Sequence, residues 1–90
     1  PVQRFKRQIE AAEAVLLITP EFNRTFSAAL KNAIEWGSRP WGQTSWAGKP
    51  AAIIGASPCG LATAAAQSQL RSVATALGLA LVAQPEIHLN

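Results

Sequence analysis

The sequence predicts an α/β domain built on a parallel sheet, and two observations support that fold class. Residues 14–18 are an unbroken apolar run, which is typical of a strand buried on both faces, and residues 51–56 form a second apolar strand. Apolar residues recur at helical spacing in residues 2–12, 26–36 and 61–77, before, between and after these runs. This alternation of helix and strand is typical of parallel sheets with right-handed crossover connections.

The first two helices carry start and stop signals. Pro1 suits the start of the first helix. One apolar stripe runs along that helix: Val2, Phe5, Ile9 and Ala12. The second helix is expected to be capped by Asn23 or Thr25. Three residues mark its end: Gly37, Ser38 and Pro40.

The last helix and the final apolar segment are less regular. The Ala-rich helix 61–77 is expected to stop at Gly78, a common helix terminator. Its clearest apolar face consists of Leu70, Val73, Ala74 and Leu77. Residues 79–82 and 86–89 flank Pro85 and form either one interrupted strand or two short ones, because proline disfavours an unbroken central strand.

The predicted sheet is small and has an open edge. A long apolar strand at a sheet edge is an aggregation hazard, so strand 14–18 is expected to have a neighbour on its outer side. That neighbour would be a strand from upstream sequence or from a partner chain. The chain starts without Met, inside an apparent helix, so we interpret it as a piece of a longer protein.

Composition narrows the class of protein. Ninety residues suffice for one domain, and 49% apolar with 14% charged residues favours a packed core. The net charge of +3 is scattered, without the basic stripe and interleaved aromatics of a nucleic-acid reader. One cysteine excludes an intrachain disulfide, and His88 alone has no metal-site spacing. No apolar run approaches the roughly 20 residues that span a bilayer. We expect a cytoplasmic protein that binds no nucleic acid, membrane or metal.

Two turns follow the carboxyl ends of the predicted strands, at residues 19–23 and 57–60. Open α/β sheets bind ligands at this edge. Each turn leads into a helix N-terminus, whose backbone N–H groups suit the polar rim of a planar heterocycle and stabilise negative charge on it. Ordinary strand-to-helix turns explain the same pattern, so the residues alone leave both interpretations open.

Five short motifs, in this order and spacing, resemble the NADPH-dependent FMN reductase family, which includes bacterial chromate and quinone reductases. They are residues 19–23 (TPEFN), 30–36 (LKNAIEW), 38–40 (SRP), 48–50 (GKP) and 57–58 (SP). The resemblance implies a flavodoxin-like three-layer sandwich with a parallel sheet of order 2-1-3-4-5. Residues 1–90 resemble the central and C-terminal portion of that domain, strands 3 to 5, without the N-terminal phosphate-loop portion.

The resemblance also implies which residues border the flavin ring of FMN, partly through backbone atoms. They are Pro20, Glu21, Phe22, Asn23, Ser57, Pro58, Cys59 and Gly60. The family usually has Tyr at the Phe22 position. Cys59, Ala62 and Thr63 replace residues that are commonly glycine, and side chains there could crowd the backbone away from the ring.

No side chain is nominated as catalytic, because the cofactor carries the chemistry of hydride transfer. Cys59 precedes a helix N-terminus, which can activate a thiol. The alternative interpretation is that Cys59 is a small residue tolerated in place of glycine. Glu21 is interpreted as a turn residue that makes hydrogen bonds rather than as a general base.

The function implied is an FMN-dependent NAD(P)H oxidoreductase. Hydride would pass from NAD(P)H to FMN, and electrons then to a quinone, a metal oxyanion such as chromate, an azo compound or free flavin. The alternative is a non-catalytic flavodoxin-like binding or assembly module that lacks FMN. A phosphate-binding loop upstream would favour the enzyme, and a true start at Pro1 would favour the module.

Assembly is implied by the same resemblance. The helix that carries Lys31, Asn32, Glu35 and Trp36 resembles the dimer-facing helix of the family, and simple solvation is the alternative explanation of its polar face. We expect a homodimer, with Trp41 and Trp46 packing on the partner or on the core. In the chromate reductases an Arg and a Tyr support a tetramer. The matching positions here are Ala65 and Ser68, which puts a tetramer in doubt.

Overall fold

The computed structural model describes residues 1–58, 60–83 and 86–90. Within these residues, helices and strands follow each other in the order α1 (Val2–Ala11), β1 (Val15–Thr19), α2 (Ala28–Ser38), β2 (Pro50–Ala56), α3 (Ala64–Ala76), β3 (Ala80–Leu81) and β4 (Ile87–Leu89). All strand pairings are parallel: β1 pairs with β2, and β2 pairs with both β3 and β4. The predicted α/β fold with a parallel sheet is confirmed.

The predicted start of α2 is wrong, because the residues expected to cap it belong to a turn. Asn23 adopts a left-handed conformation, and Thr25 exchanges two backbone hydrogen bonds with Phe22. The cap is Ser27, whose hydroxyl oxygen accepts a hydrogen bond of 3.2 Å from the backbone N–H of Leu30. Side-chain capping of this kind satisfies one of the donors that a helix start leaves without an intrahelical partner.

Helix α3 also begins later than predicted, at Ala64 rather than residue 61. The backbone φ angles of Ala62 and Thr63 are 47° and 70°, which a right-handed helix cannot accommodate. The end is as expected, since α3 stops at Ala76 and Gly78 has a φ of 77°. Its apolar face is confirmed, because Leu70 and Ala74 are buried and Val73 and Leu77 pack against the core.

All three described helices contribute to one core on a single face of the sheet. The residues on one face of β1 and β2 are buried: Leu17, Thr19, Ala51, Ile53 and Gly55. The core that these strands share includes Ile9 of α1, Ile34 of α2 and Leu70 of α3. The helices therefore form one layer, and the sheet forms the second.

The opposite face of β1 is open, so the prediction that this strand is buried on both faces is wrong for the described residues. Leu16 and Ile18 are 57% and 66% exposed, and they alternate with the buried Leu17 and Thr19. The physical reason is that no described element packs over this face. β1 also lies at the sheet edge in this part of the chain, as expected.

The final apolar segment forms two short strands against one neighbour. Ala80 lies opposite Pro50, and Ile87 lies opposite Ile54. The chain therefore advances seven residues where β2 advances four. β3 and β4 are the two ends of an interrupted strand, and Pro85 between them lies outside the described residues.

The two tryptophans of the loop before β2 differ in environment. Trp46 is buried and donates its indole N–H to the carbonyl oxygen of Ile34, at 2.9 Å. Its ring lies edge-on to Phe5, with centroids 6.3 Å apart. Trp41 is 88% exposed. Trp46 thus packs on the core and ties α2 to the loop, whereas Trp41 contributes little burial.

No helix in the described residues is long and apolar enough to cross a bilayer.

Candidate functional site

The fold brings the two predicted turns to one edge of the sheet. β1 ends at Thr19, which lies opposite Gly55 near the end of β2. Residues 20–25 and 57–60 follow these strand ends directly. The carboxyl edge of a parallel sheet is the usual place for a ligand in open α/β folds. The juxtaposition that the sequence predicts is therefore present.

The first turn is a tight reversal that exposes an aromatic ring. Phe22 and Thr25 exchange backbone hydrogen bonds of 2.8 and 3.0 Å. Asn23 and Arg24 between them have φ angles of 51° and 69°, a sign pattern shared with type I′ hairpin turns. Asn tolerates this conformation well, and Arg less so. Phe22 is 59% exposed, so the turn holds its ring out from the core.

A cleft lies beside this turn. Its volume is about 430 Å³, within the range of small-ligand sites. The lining consists of Phe22, Asn23, Thr25, Phe26, Ser27, Ala28 and Lys31. Of the predicted site residues it includes only Phe22 and Asn23. The cleft joins the first turn to the start of α2, and the described residues of the second turn lie outside its lining.

Lys31 brings charge to the margin of the cleft. Its ammonium group lies 2.7 Å from the Glu35 carboxylate, one helical turn further along α2. The hydrogen bond from Lys31, together with its positive charge, lowers the pKa of Glu35. Arg39 lowers that pKa further, while desolvation opposes the shift. The cation at the cleft is therefore already paired within its own helix.

Glu21 reaches away from the cleft to a different helix. Its carboxylate oxygen Oε1 accepts a hydrogen bond of 2.8 Å from the backbone N–H of Ala66, in the first turn of α3. This contact agrees with the interpretation of Glu21 as a hydrogen-bonding turn residue. It also shows that a donor at the start of α3 is used within the chain, whereas the sequence predicted outward-facing donors. The partner of Glu21 could not be predicted, because 45 residues separate the two.

The second turn continues from β2 alongside β4. The backbone N–H of Ser57 donates to the carbonyl oxygen of Leu89, at 2.9 Å. Pro58 and Gly60 are exposed at the sheet edge. Cys59 lies outside the described residues, so both interpretations of its thiol stay predictions.

The two replacements for glycine after this turn face inward. Ala62 and Thr63 are buried, and the Thr63 side chain lies against Gly55 of β2. Gly55 makes that packing possible. A β-carbon on Gly55 would collide with the Thr63 hydroxyl and would lie 2.6 Å from the carbonyl oxygen of Thr19. The start of α3 is thus pressed against the ends of β1 and β2.

These features fit the ring of a flavin. Pro20, Phe22 and Pro58 are exposed at the carboxyl edge and offer apolar surface to a planar heterocycle. The exposed amide of Asn23 can exchange hydrogen bonds with the polar rim of such a ring. No group of three potential metal ligands clusters within the described residues.

Comparison with known proteins gives the same assignment. The family model for NADPH-dependent FMN reductase matches residues 1–90. The chain is 52% identical over 86 residues to a 2-hydroxy-1,4-benzoquinone reductase of Burkholderia sp, covering 96% of this chain and 47% of that protein. It is 46% identical over 89 residues to an NAD(P)H-dependent FMN reductase of Pseudomonas aeruginosa, covering 99% of this chain and 48% of the relative. The chain thus spans about half the length of these curated relatives.

A solved structure extends the likeness to the fold. FerB from Paracoccus denitrificans, described as a flavoenzyme NAD(P)H:(acceptor) oxidoreductase, superposes with a TM-score of 0.94 at 46% identity. The match covers 98% of this chain and 48% of FerB. The flavodoxin-like fold class is confirmed, with this chain forming a portion of it. FMN and NAD(P)H are confirmed as the cofactors at the level of the family. The chain belongs to the NADPH-dependent FMN reductase family.

Proposed function

We propose that this chain forms the flavin-ring side of an NAD(P)H-dependent oxidoreductase that uses FMN and reduces quinones. The observation that carries the proposal is the exposed Phe22 ring, held by a tight turn at the carboxyl edge of a parallel sheet. The names of the relatives support the activity, since they include a benzoquinone reductase and an FMN reductase.

The described residues would hold the ring rather than perform chemistry on it. Pro20, Phe22 and Pro58 would pack against the isoalloxazine, and the Asn23 amide would hydrogen-bond its rim. When bound, FMN supplies the hydride and electron transfer itself. Glu21 is already bonded to the backbone of Ala66, which supports a reaction without a general base from this turn.

A quinone is the acceptor that these surfaces favour. The cleft beside Phe22 is walled by two phenylalanines, and flat aromatic acceptors stack well on such rings. Lys31 is the cation in its lining, and Glu35 neutralises it. This pairing disfavours an oxyanion such as chromate, which would need an uncompensated positive charge. Azo compounds and free flavin share the planarity of quinones and stay secondary proposals.

We also propose that the protein is cytoplasmic and that it forms a homodimer through α2. Trp36 is 51% exposed and borders a groove of about 320 Å³ between α1 and α2. Exposed Trp beside an apolar groove is typical of protein interfaces. Trp36→Glu should convert the dimer to a monomer in light scattering, whereas Thr75→Glu on the exposed side of α3 should not. A tetramer stays a prediction, weakened by Ala65 and Ser68.

The first experiment is a titration of the full-length gene product with FMN, followed by absorbance and flavin fluorescence. Saturable binding, bleaching by NADPH and recovery on adding benzoquinone are the expected results. Failure of the intact protein to bind FMN would overturn the enzyme proposal in favour of a non-catalytic module. Binding with bleaching but no recovery on benzoquinone would leave the cofactor assignment and overturn the acceptor.

A further inference from the structure

Helix α3 begins without a cap of its own. Its N-cap residue is Thr63, which has a left-handed backbone and makes no side-chain capping bond. The Thr63 hydroxyl instead donates to the carbonyl oxygen of Ala62 and accepts from the amide of Gln67. The first turn of α3 contains no acidic residue. Because the first N–H groups of a helix have no partner inside it, an acceptor for them has to come from elsewhere.

Glu21 supplies that acceptor from across the site. Its carboxylate lies 2.8 Å from the backbone nitrogen of Ala66, the third residue of α3. A carboxylate at this position is stabilised both by a charge-assisted hydrogen bond and by the positive end of the helix dipole. The residue that caps α3 is therefore part of the first flavin turn.

A second bond ties the other end of the same turn to the same helix. The side-chain amide of Gln69 donates to the carbonyl oxygen of Arg24, at 3.0 Å. Residues three apart on a helix share a face, so Ala66 and Gln69 present both bonds to the turn together. Phe22 and Asn23 lie between the two attachment points. Their position is consequently set by α3, whose start follows the second turn.

The backbone hydrogen bonds within the turn join only Phe22 and Thr25, so they shape the turn without attaching it to another element. Asn23 and Arg24 both occupy left-handed conformations, which Asn tolerates well and Arg less so. The Phe22 ring is mostly exposed, so core packing contributes little to its placement. The hydrogen bonds to Glu21 from the Ala66 backbone and to Arg24 from the Gln69 side chain therefore fix the position of the turn on α3.

We propose that Glu21 is a positioning residue, which fixes the Phe22 turn on α3 through Ala66 and thereby holds the two flavin turns at one spacing. This inference rests on the proposed function, since it assigns Glu21 a role in binding FMN without contact between its carboxylate and the flavin. Gln69 assists through Arg24. The side chain of Glu21 thus acts through the backbone of the turn.

Two substitutions and a control separate this role from others. Glu21→Ala removes the acceptor, whereas Glu21→Gln keeps an acceptor oxygen and removes only the charge. Glu10→Ala is the matched control, because the Glu10 carboxylate also joins distant segments, accepting from the Ser45 hydroxyl at 2.6 Å. Each variant is made in the full-length protein. FMN affinity is measured by fluorescence, and exchange of the Ala66 amide proton is measured by NMR in the apoprotein.

Glu21→Ala should raise the Kd for FMN about tenfold or more, the scale of a lost hydrogen bond to a charged group, and should speed exchange at Ala66. Glu21→Gln should recover most of both properties, and Glu10→Ala should change neither. Faster exchange at Ala66 with unchanged FMN affinity overturns the proposal, because the bond is then only a helix cap. Weaker FMN binding with unchanged exchange also overturns it, because the side chain then acts on the flavin directly.

FMN binding by the wild-type protein is a separate test, because it tests the proposed function itself. A wild-type protein that binds no FMN overturns the proposed function, and with it the role of Glu21, whatever exchange at Ala66 shows. If Glu21→Ala does not fold, Gln69→Ala decides, since it removes only the exposed second bond. Weakened FMN binding in that variant supports the positioning role, and unchanged binding overturns it.

Discussion

The indole of Trp46 occupies the space in which a side chain at position 37 would stand. A β-carbon built on Gly37 would lie 2.6 Å from the indole nitrogen of Trp46, well inside van der Waals contact. The same nitrogen donates to the carbonyl oxygen of Ile34. The end of α2 and the loop before β2 are thus locked together through one glycine.

Gly37→Ala should therefore destabilise the protein. The added methyl forces the indole to move and weakens its buried hydrogen bond, at a cost of about 1–3 kcal/mol, the usual range for overpacking. Urea unfolding followed by Trp fluorescence measures the change. Gly60→Ala is the control, because nothing lies within 4 Å of a β-carbon at Gly60. Equal stability of the two variants would contradict the packing described for Trp46.

Phe22 should contribute to FMN binding through its ring rather than through a polar group. Phe22→Ala should weaken FMN affinity roughly fivefold to tenfold, since stacked aromatic contacts are worth about 0.5–1.5 kcal/mol beyond buried area. Phe22→Tyr, the residue usual in the family, should bind at least as well as wild type. The exposed Trp41 provides the control, because it lies beside the C-terminal ends of α2 and α3 and does not line the cleft at the turn. Loss of affinity in Trp41→Ala alone would locate the flavin elsewhere.

The pair Lys31–Glu35 predicts a specific pH dependence of stability. The pKa of Glu35 is lowered in the folded protein, chiefly by its hydrogen bond to Lys31. A lowered pKa means that the pair stabilises the fold above the ordinary glutamate pKa, near 4.5, and that this contribution is lost as pH falls through the folded pKa. Both side chains are largely in water, so the effect is small and is screened by salt.

Glu35→Gln tests this dependence. It should lower the urea midpoint slightly at pH 7 and low salt, and the difference from wild type should shrink as the pH falls below the ordinary glutamate pKa and through the lowered pKa of Glu35. Glu13→Gln is a suitable comparison on an exposed position outside the helices. A difference that grows on acidification would contradict the assigned direction of the pKa shift.

The open face of the sheet predicts self-association of the isolated 90-residue chain. Leu16 and Ile18 expose apolar side chains on an edge strand, a combination that promotes pairing between molecules. Sedimentation velocity should show oligomers that Ile18→Lys reduces. Ala76→Lys, at an exposed position on α3, should leave them unchanged. If the isolated chain is strictly monomeric, the exposed face of β1 does not mediate self-association.

Local sequence patterns predict the helices and strands well. The predictions are wrong at helix starts, where contacts between residues distant in sequence determine the backbone conformation. The apolar stripe of α3 is correct, but its start is not, because burial of Thr63 beneath Gly55 imposes a left-handed backbone that no propensity indicates. The capping residue of α2 was misassigned because Asn23 suits a tight turn as well as a cap.

The sequence predicts the position of the two turns of the site but not the hydrogen bonds that attach the first turn to α3. The two turns follow the strand ends as parallel topology requires, which is visible in sequence. The bond from Glu21 to Ala66 is not, since helix capping by a remote residue leaves no periodic signal. The cleft beside Phe22 likewise depends on where α2 begins, after its cap Ser27, and the apolar periodicity does not indicate that position.

The open face of β1 has a thermodynamic consequence for the cofactor. The strand that exposes Leu16 and Ile18 runs directly into the turn that holds Phe22, so an element packed on this face would also restrain the residues that enter the turn. Coupling between two binding events is reciprocal, so a cover that tightens FMN binding is itself held more tightly once FMN is bound. We therefore expect FMN binding and the covering of this sheet face to strengthen each other.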